Sequence, residues 1–138
     1  MKTIQSFIVV ALIAIVAVGC GKVEKILPKK DGTWKVTKQE QREYQNDVLQ
    51  STDTEITTTE MTFQKDGSGT YVEGGSSFTF NWSVNDDNDK LDFCQDFGGA
   101  SICVTYDIVE SSANAQTWYL EIVDGSDRTE FDLELERK

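Results

Sequence analysis

Phe78-Thr79-Phe80-Asn81-Trp82-Ser83-Val84 carries the clearest structural signal in the chain. Large apolar side chains alternate with small polar ones at a period of two, which on an extended backbone puts one set on each face. A strand with one greasy and one wet face must bury the first against something. Working outward, the same alternation recurs. Trp34 and Val36 stand among Thr33, Lys35 and Thr37, and Met61 and Phe63 flank Thr62. Thr70 to Glu73 reads as a short strand, and Trp118, Leu120 and Ile122 as a longer one. Phe131, Leu133 and Leu135 alternate with Asp132, Glu134 and Glu136. Between these runs lie turn-forming clusters: Lys65-Asp66-Gly67-Ser68-Gly69, Gly74-Gly75, Asn85 to Asp89, and Asp124-Gly125-Ser126-Asp127.

The two cysteines of this region specify a register. Leu91 and Phe93 are the apolar positions before Cys94, while Ile102, Val104, Tyr106 and Ile108 are those around Cys103. In an antiparallel hairpin with Cys94 opposite Cys103, Phe93 faces Val104 and Leu91 faces Tyr106, so apolar meets apolar throughout. The turn falls on Phe97-Gly98-Gly99-Ala100, where glycines suit it. The expectation is a disulfide between Cys94 and Cys103. Closing a loop of about ten residues stabilises by roughly 2.5–3 kcal/mol in the chain-entropy model. No CxxC spacing points to redox chemistry.

Eight strands joined by short loops predict an all-β domain with a meander topology. Eight is also the number at which such a sheet closes into an up-and-down barrel; a two-sheet β-sandwich is the alternative. The segment Lys38 to Thr59 stays open, as a polar extension of the first strand, a short helix, or a lid-like loop.

Ahead of the domain, Met1-Lys2 is followed by the apolar run Phe7 to Val18. That run is shorter than the roughly 20 residues a bilayer span requires and matches a signal-peptide core. Ala17-Val18-Gly19-Cys20 resembles the lipobox of bacterial lipoproteins. The resemblance implies cleavage after residue 19, acylation of Cys20 and a membrane held through the lipid. Gly21, where aspartate would mark inner-membrane retention, implies an outer-membrane address; no acidic run follows to suggest surface display, so the domain is expected to face the periplasm. The expected organisation is 1–19 signal peptide, 20–31 lipidated cysteine and tether, and 32–138 β domain. Extended, the tether would reach about 35–40 Å, and its lysines, Lys22, Lys25, Lys29 and Lys30, would lie near head groups or in solvent.

With the leader in place, the domain itself resembles the lipocalin-like lipoproteins of Bacteroidota. The matching residues are Gly32-Thr33-Trp34 opening the first strand and Phe63-Gln64-Lys65-Asp66-Gly67-Ser68-Gly69 at a tight turn. The resemblance implies that Trp34 plugs one end of the barrel, with Arg137 as the candidate to pack across it. It also implies a small hydrophobic or amphipathic ligand. Phe63, Tyr71, Phe78, Phe80, Trp82, Tyr106 and Trp118 are the candidates to line its pocket; the competing expectation is a barrel filled by these same side chains, serving as an envelope scaffold or a protein-interaction module. Lys38 and Arg42 share the parity of Trp34, so an unbroken strand would bring them to the mouth to meet a ligand carboxylate, unless they are solvated surface charges.

Composition narrows the chemistry further. The chain's net charge is −11, and residues 32–138 hold 8 lysines and arginines against 22 acids, the wrong sign for nucleic acid. With no histidine, Ser-His-Asp and Cys-His catalysis and His-bearing zinc sites are excluded. Asp86, Asp87 and Asp89 crowd one turn without the glycine and bidentate glutamate of a calcium loop. No catalytic site, metal or cofactor is expected.

Overall fold

The computed structural model describes residues 22–138; the leader and Cys20 lie outside the described residues. A single helical turn, α1 (Val23–Ile26), precedes nine strands. These are β1 (Thr33–Gln45), β2 (Val48–Glu55), β3 (Glu60–Phe63), β4 (Ser68–Glu73), β5 (Ser76–Val84), β6 (Lys90–Phe97), β7 (Ala100–Ser111), β8 (Ala115–Asp124) and β9 (Asp127–Arg137). All pairings are antiparallel. From β3 to β9 each strand pairs with its successor, and β1 joins β3 to β9. That closes an eight-stranded barrel, with β2 as one extra strand.

The extra strand occupies the segment the sequence left open. β1 pairs with β3 only over Thr33 to Lys35, and from Gln39 onward β2 takes that edge instead. Lys38 to Thr59 is therefore an extension of the first strand, returned by a hairpin. Every residue of β2 is exposed.

Burial is concentrated toward one end. Phe63 sits at the centre, with Phe80, Trp82 and Trp118 presenting rings to it at 5.3, 5.4 and 5.9 Å in edge-on geometry, the arrangement the ring quadrupole favours. Leu91, Leu135, Trp34 and Val36 complete this core. Phe80 lies over Gly69, its cross-strand partner, in the space a side chain at 69 would occupy.

The stretch read as an extended tether is folded onto the barrel. Val23, Ile26, Leu27 and Pro28 are buried, Leu27 completely. The Asn88 side chain accepts from the Val23 N–H (3.1 Å), and the Trp34 indole donates to the Leu27 carbonyl (2.9 Å). Arg137 stacks on the Trp34 ring at 4.1 Å and donates to the carbonyls of Ile26, Lys29 and Ala113. One guanidinium thus ties this segment, the plug of the closed end, through the Ile26 and Lys29 carbonyls to the β7–β8 turn through that of Ala113. Val23, Ile26, Leu27 and Pro28 supply the burial that an extended, solvated linker would lack.

At the other end the wall divides. The β7–β8 ladder runs only from Asp107 opposite Tyr119 to Ser111 opposite Gln116, so Ala100–Tyr106 and Leu120–Asp124 continue past it without pairing each other. On the far side, β1 and β2 have left β3. The end opposite the plug is open.

Candidate functional site

The open end holds a cup of about 250 Å³. Tyr71, Phe93, Tyr106, Leu133, Met61 and Val36 form its apolar floor and walls, and Gln39, Thr59, Glu73 and Gln95 its polar groups. The walls follow from strand parity: Tyr71 opposes Phe78, Phe93 opposes Val104 and Leu91 opposes Tyr106, all on the inner face. Tyr71 stacks on Phe78 at 4.9 Å, and Phe93 stacks on Phe80 at 4.4 Å, so the cup's floor is continuous with the core below. Tyr71 and Gln95 meet through their polar tips at 3.3 Å. Burial pushes the Tyr106 phenol above its ordinary range, keeping it a neutral hydroxyl.

Above the cup the inner face stays apolar but uncovered. Phe78 is 39% exposed, Phe97 55%, Ile102 58% and Ile122 48%, although all four occupy positions of inward parity. Exposed apolar side chains on an inward face are a surface that a ligand or partner can cover.

The residues singled out from the sequence separate by depth. Tyr71 and Tyr106 line the cup. Phe63, Phe80, Trp82 and Trp118 are buried beneath it, as packing. Trp34 and Arg137 meet at the closed end. Cys94 and Cys103 are bonded on the outer face, their Cα atoms 4.0 Å apart, in the register the alternation specified. Phe93, Leu133 and Gln95 were not singled out, although the hairpin register already gave Phe93 the inward parity.

Lys38 and Arg42 are not at the mouth. Thr37 and Lys38 together oppose Glu134, a β-bulge that reverses parity for the rest of β1. Gln39 and Gln41 consequently take the inner face, and Lys38, Glu40 and Arg42 the outer. There Lys38 pairs with Glu40 and Glu134 (3.4 and 3.5 Å), and Arg42 is held by Glu40, Glu130 (3.0 Å) and Asp132. Arg128 lies 4.3 Å over the Tyr44 ring on the same outer face. Beside them, desolvation and then the Glu130 and Glu121 carboxylates push the Tyr119 phenol up to about 12.

A larger cleft, about 610 Å³, lies at the closed end between the plug, the β3–β4 turn and the end of β5. Its border includes Glu24, Lys25, Lys29, Lys65 and Asp66, with Trp82 and Val84 as apolar patches. It is a charged surface groove and not a chamber. Among the described residues no group of three or more acids or cysteines is placed to hold a metal ion.

A closed antiparallel barrel of eight strands, plugged at one end beneath a tryptophan–arginine stack and open at the other, is a lipocalin-like fold. Among solved structures, that of insecticyanin from the tobacco hornworm Manduca sexta is similar, with a TM-score of 0.55 and 13% sequence identity. The match covers 75% of this chain and 59% of that one, so the chain spans about three-fifths of insecticyanin's length. At that identity the likeness concerns the fold. No family model matches the sequence, and no curated protein does.

Proposed function

We propose that this protein is an envelope lipoprotein, acylated at Cys20, whose lipocalin-like barrel takes the apolar part of a small amphipathic molecule into the cup at its open end. The observation that carries the ligand half is the unfilled open end of the barrel: a cup of about 250 Å³ beneath apolar side chains left exposed among the described residues. A cup below the roughly 300–1,000 Å³ of ordinary ligand pockets suits one end of a molecule, with the remainder lying along Phe78, Phe97 and Ile102. The filled lower half favours the second reading, a rigid scaffold with a protein partner. Neither reading assigns it a reaction.

The anchor half rests on the lipobox-like sequence and on where the plug lies. Only Gly21 separates Cys20 from Lys22, the first described residue, and the chain is folded against the closed end from Val23 onward. An acyl group on Cys20 would therefore hold the closed end at the bilayer, in our reading the periplasmic leaflet of the outer membrane, with the mouth directed away. Lys25, Lys29 and Lys65 border the groove on that side, each worth up to about 1 kcal/mol near an anionic surface.

The test is native mass spectrometry of the protein extracted from its own envelope, beside the Cys20→Ser chain. A retained small molecule that Leu133→Trp abolishes supports the binding reading. Recovery without any ligand, together with a co-purifying protein, supports the scaffold. A Cys20→Ser chain that stays membrane-bound overturns the anchor.

A further inference from the structure

The charge arrangement around the cup selects the head group of its ligand. Glu73 is the one charged side chain in the cup's lining. Glu55 and Asp53 stand opposite Gln39 and Gln41 across the β1–β2 ladder, so they share the face by which Gln39 lines the cup. No lysine or arginine of the described residues contributes to that lining. The reason is the bulge at Thr37–Lys38: it turns Lys38 and Arg42 outward, where Glu40, Glu130, Asp132 and Glu134 neutralise them. Arg128 is drawn to the outer face as well, over Tyr44. Lys65 and Arg137 belong to the closed end, as do Lys22 to Lys30, and Lys90 pairs with Asp107 at the same end of β6.

An anion entering this mouth meets carboxylates with no partner for its own charge, and desolvating it there is costly. A cation meets the opposite. Glu73 supplies a counter-charge, and the walls supply aromatic faces, whose negative quadrupoles attract ammonium groups.

From this juxtaposition we propose that the ligand is a cationic amphiphile, an organic amine or quaternary ammonium compound carrying an aromatic or short alkyl body, with its body in the cup and its nitrogen beside Glu73 and the cup aromatics. The proposal rests on the binding reading above and narrows it to a chemical class. It excludes the fatty-acid type of ligand that cations at the mouth would have favoured.

The experiment is a matched series, 3-phenylpropylammonium, 3-phenylpropanol and 3-phenylpropanoate, titrated calorimetrically into the purified full-length protein at low salt. The expected order is ammonium, then alcohol, then carboxylate, with roughly tenfold between the first and last from one partly exposed ion pair plus one cation–π contact. Glu73→Gln should shrink that ratio severalfold while leaving the alcohol unchanged, and Gln39→Lys should invert the order. Glu134→Gln, on the outer face, is the control that alters neither. Carboxylate binding as tightly as ammonium overturns the amine assignment while leaving the binding site in place. If none of the three binds, the cup is not a ligand site and both readings fall.

Discussion

At the closed end Trp34 has no exposure; it lies beneath Arg137 and donates to the plug, and every neighbouring strand is paired. At the open end Phe78, Phe97, Ile102 and Ile122 occupy positions of the same inward parity and remain 39–58% exposed. Apart from the register shifts at Thr37–Lys38 in β1 and between Ile108 and Glu110 in β7, the strands keep the same alternation from one end to the other. What differs is the lateral pairing: below, eight strands are closed around a core, and above, β7 parts from β8 and β1 from β3. Alternation therefore specifies which side chains face inward, while closure of the sheet decides whether facing inward means burial.

Four outcomes would break or sharpen that contrast. The largest effect is expected at the closed end: Trp34→Ala removes a fully buried ring, its hydrogen bond to Leu27 and the platform for Arg137, and should cost about 4 kcal/mol in urea unfolding. A loss under about 1 kcal/mol would mean that the plug contributes little. Next comes the disulfide, which clips the hairpin forming one side of the open end. Replacing both Cys94 and Cys103 by serine should cost roughly 2.5–3 kcal/mol, with the near-ultraviolet dichroism of the lower core preserved. Third, Leu133→Trp at the cup should change stability by under about 1 kcal/mol, because the space exists to receive it, yet abolish ligand uptake. The smallest effect is spectroscopic. Tyr119, held to about 12 by desolvation and by Glu130 and Glu121, should ionise late in an absorbance titration, and Tyr119→Phe should remove that phase. Because its folded pKa lies above the unfolded value, the contribution of Tyr119 is intact below about pH 10 and is lost as the pH rises toward 12.

Much of the fold is legible in the chain because its signal is local. β5 announces itself in seven residues, and the β6–β7 register follows from matching two short alternations, which is why the Cys94–Cys103 pairing could be read from parity alone. β2 was not legible. With all its residues exposed, neither face is selected for hydrophobicity, and the period-two pattern has nothing to express. The plug escaped for a different reason: Val23, Ile26 and Leu27 sit among lysines in a segment of one helical turn, too short to show a period, and their burial depends on Trp34, Asn88 and Arg137 far along the chain. Within the cup, parity identified Tyr71 and Tyr106 as inward-facing. Depth along the barrel axis, which separates them from Trp82 and Trp118, is a property of the assembled sheet. The reversal at Lys38 is the hardest case, since Thr37 and Lys38 carry no mark of an unpaired residue.

That reversal has a bearing on how such a mouth can change. The charge presented at the entrance is governed by the register of β1 on β9 as much as by the residues β1 carries. An unbulged ladder would set Thr37 opposite Glu134 and rotate everything from Lys38 to Gln45 by half a turn, carrying Lys38 and Arg42 inside and sending Gln39 and Gln41 to the exterior, whereas deleting Thr37 would leave Lys38 opposite Glu134 and every later side chain on its present face. A slip of one position along β9 would then replace an amide-lined entrance with a cationic one, a change that piecemeal replacement of those side chains would reach only through several steps.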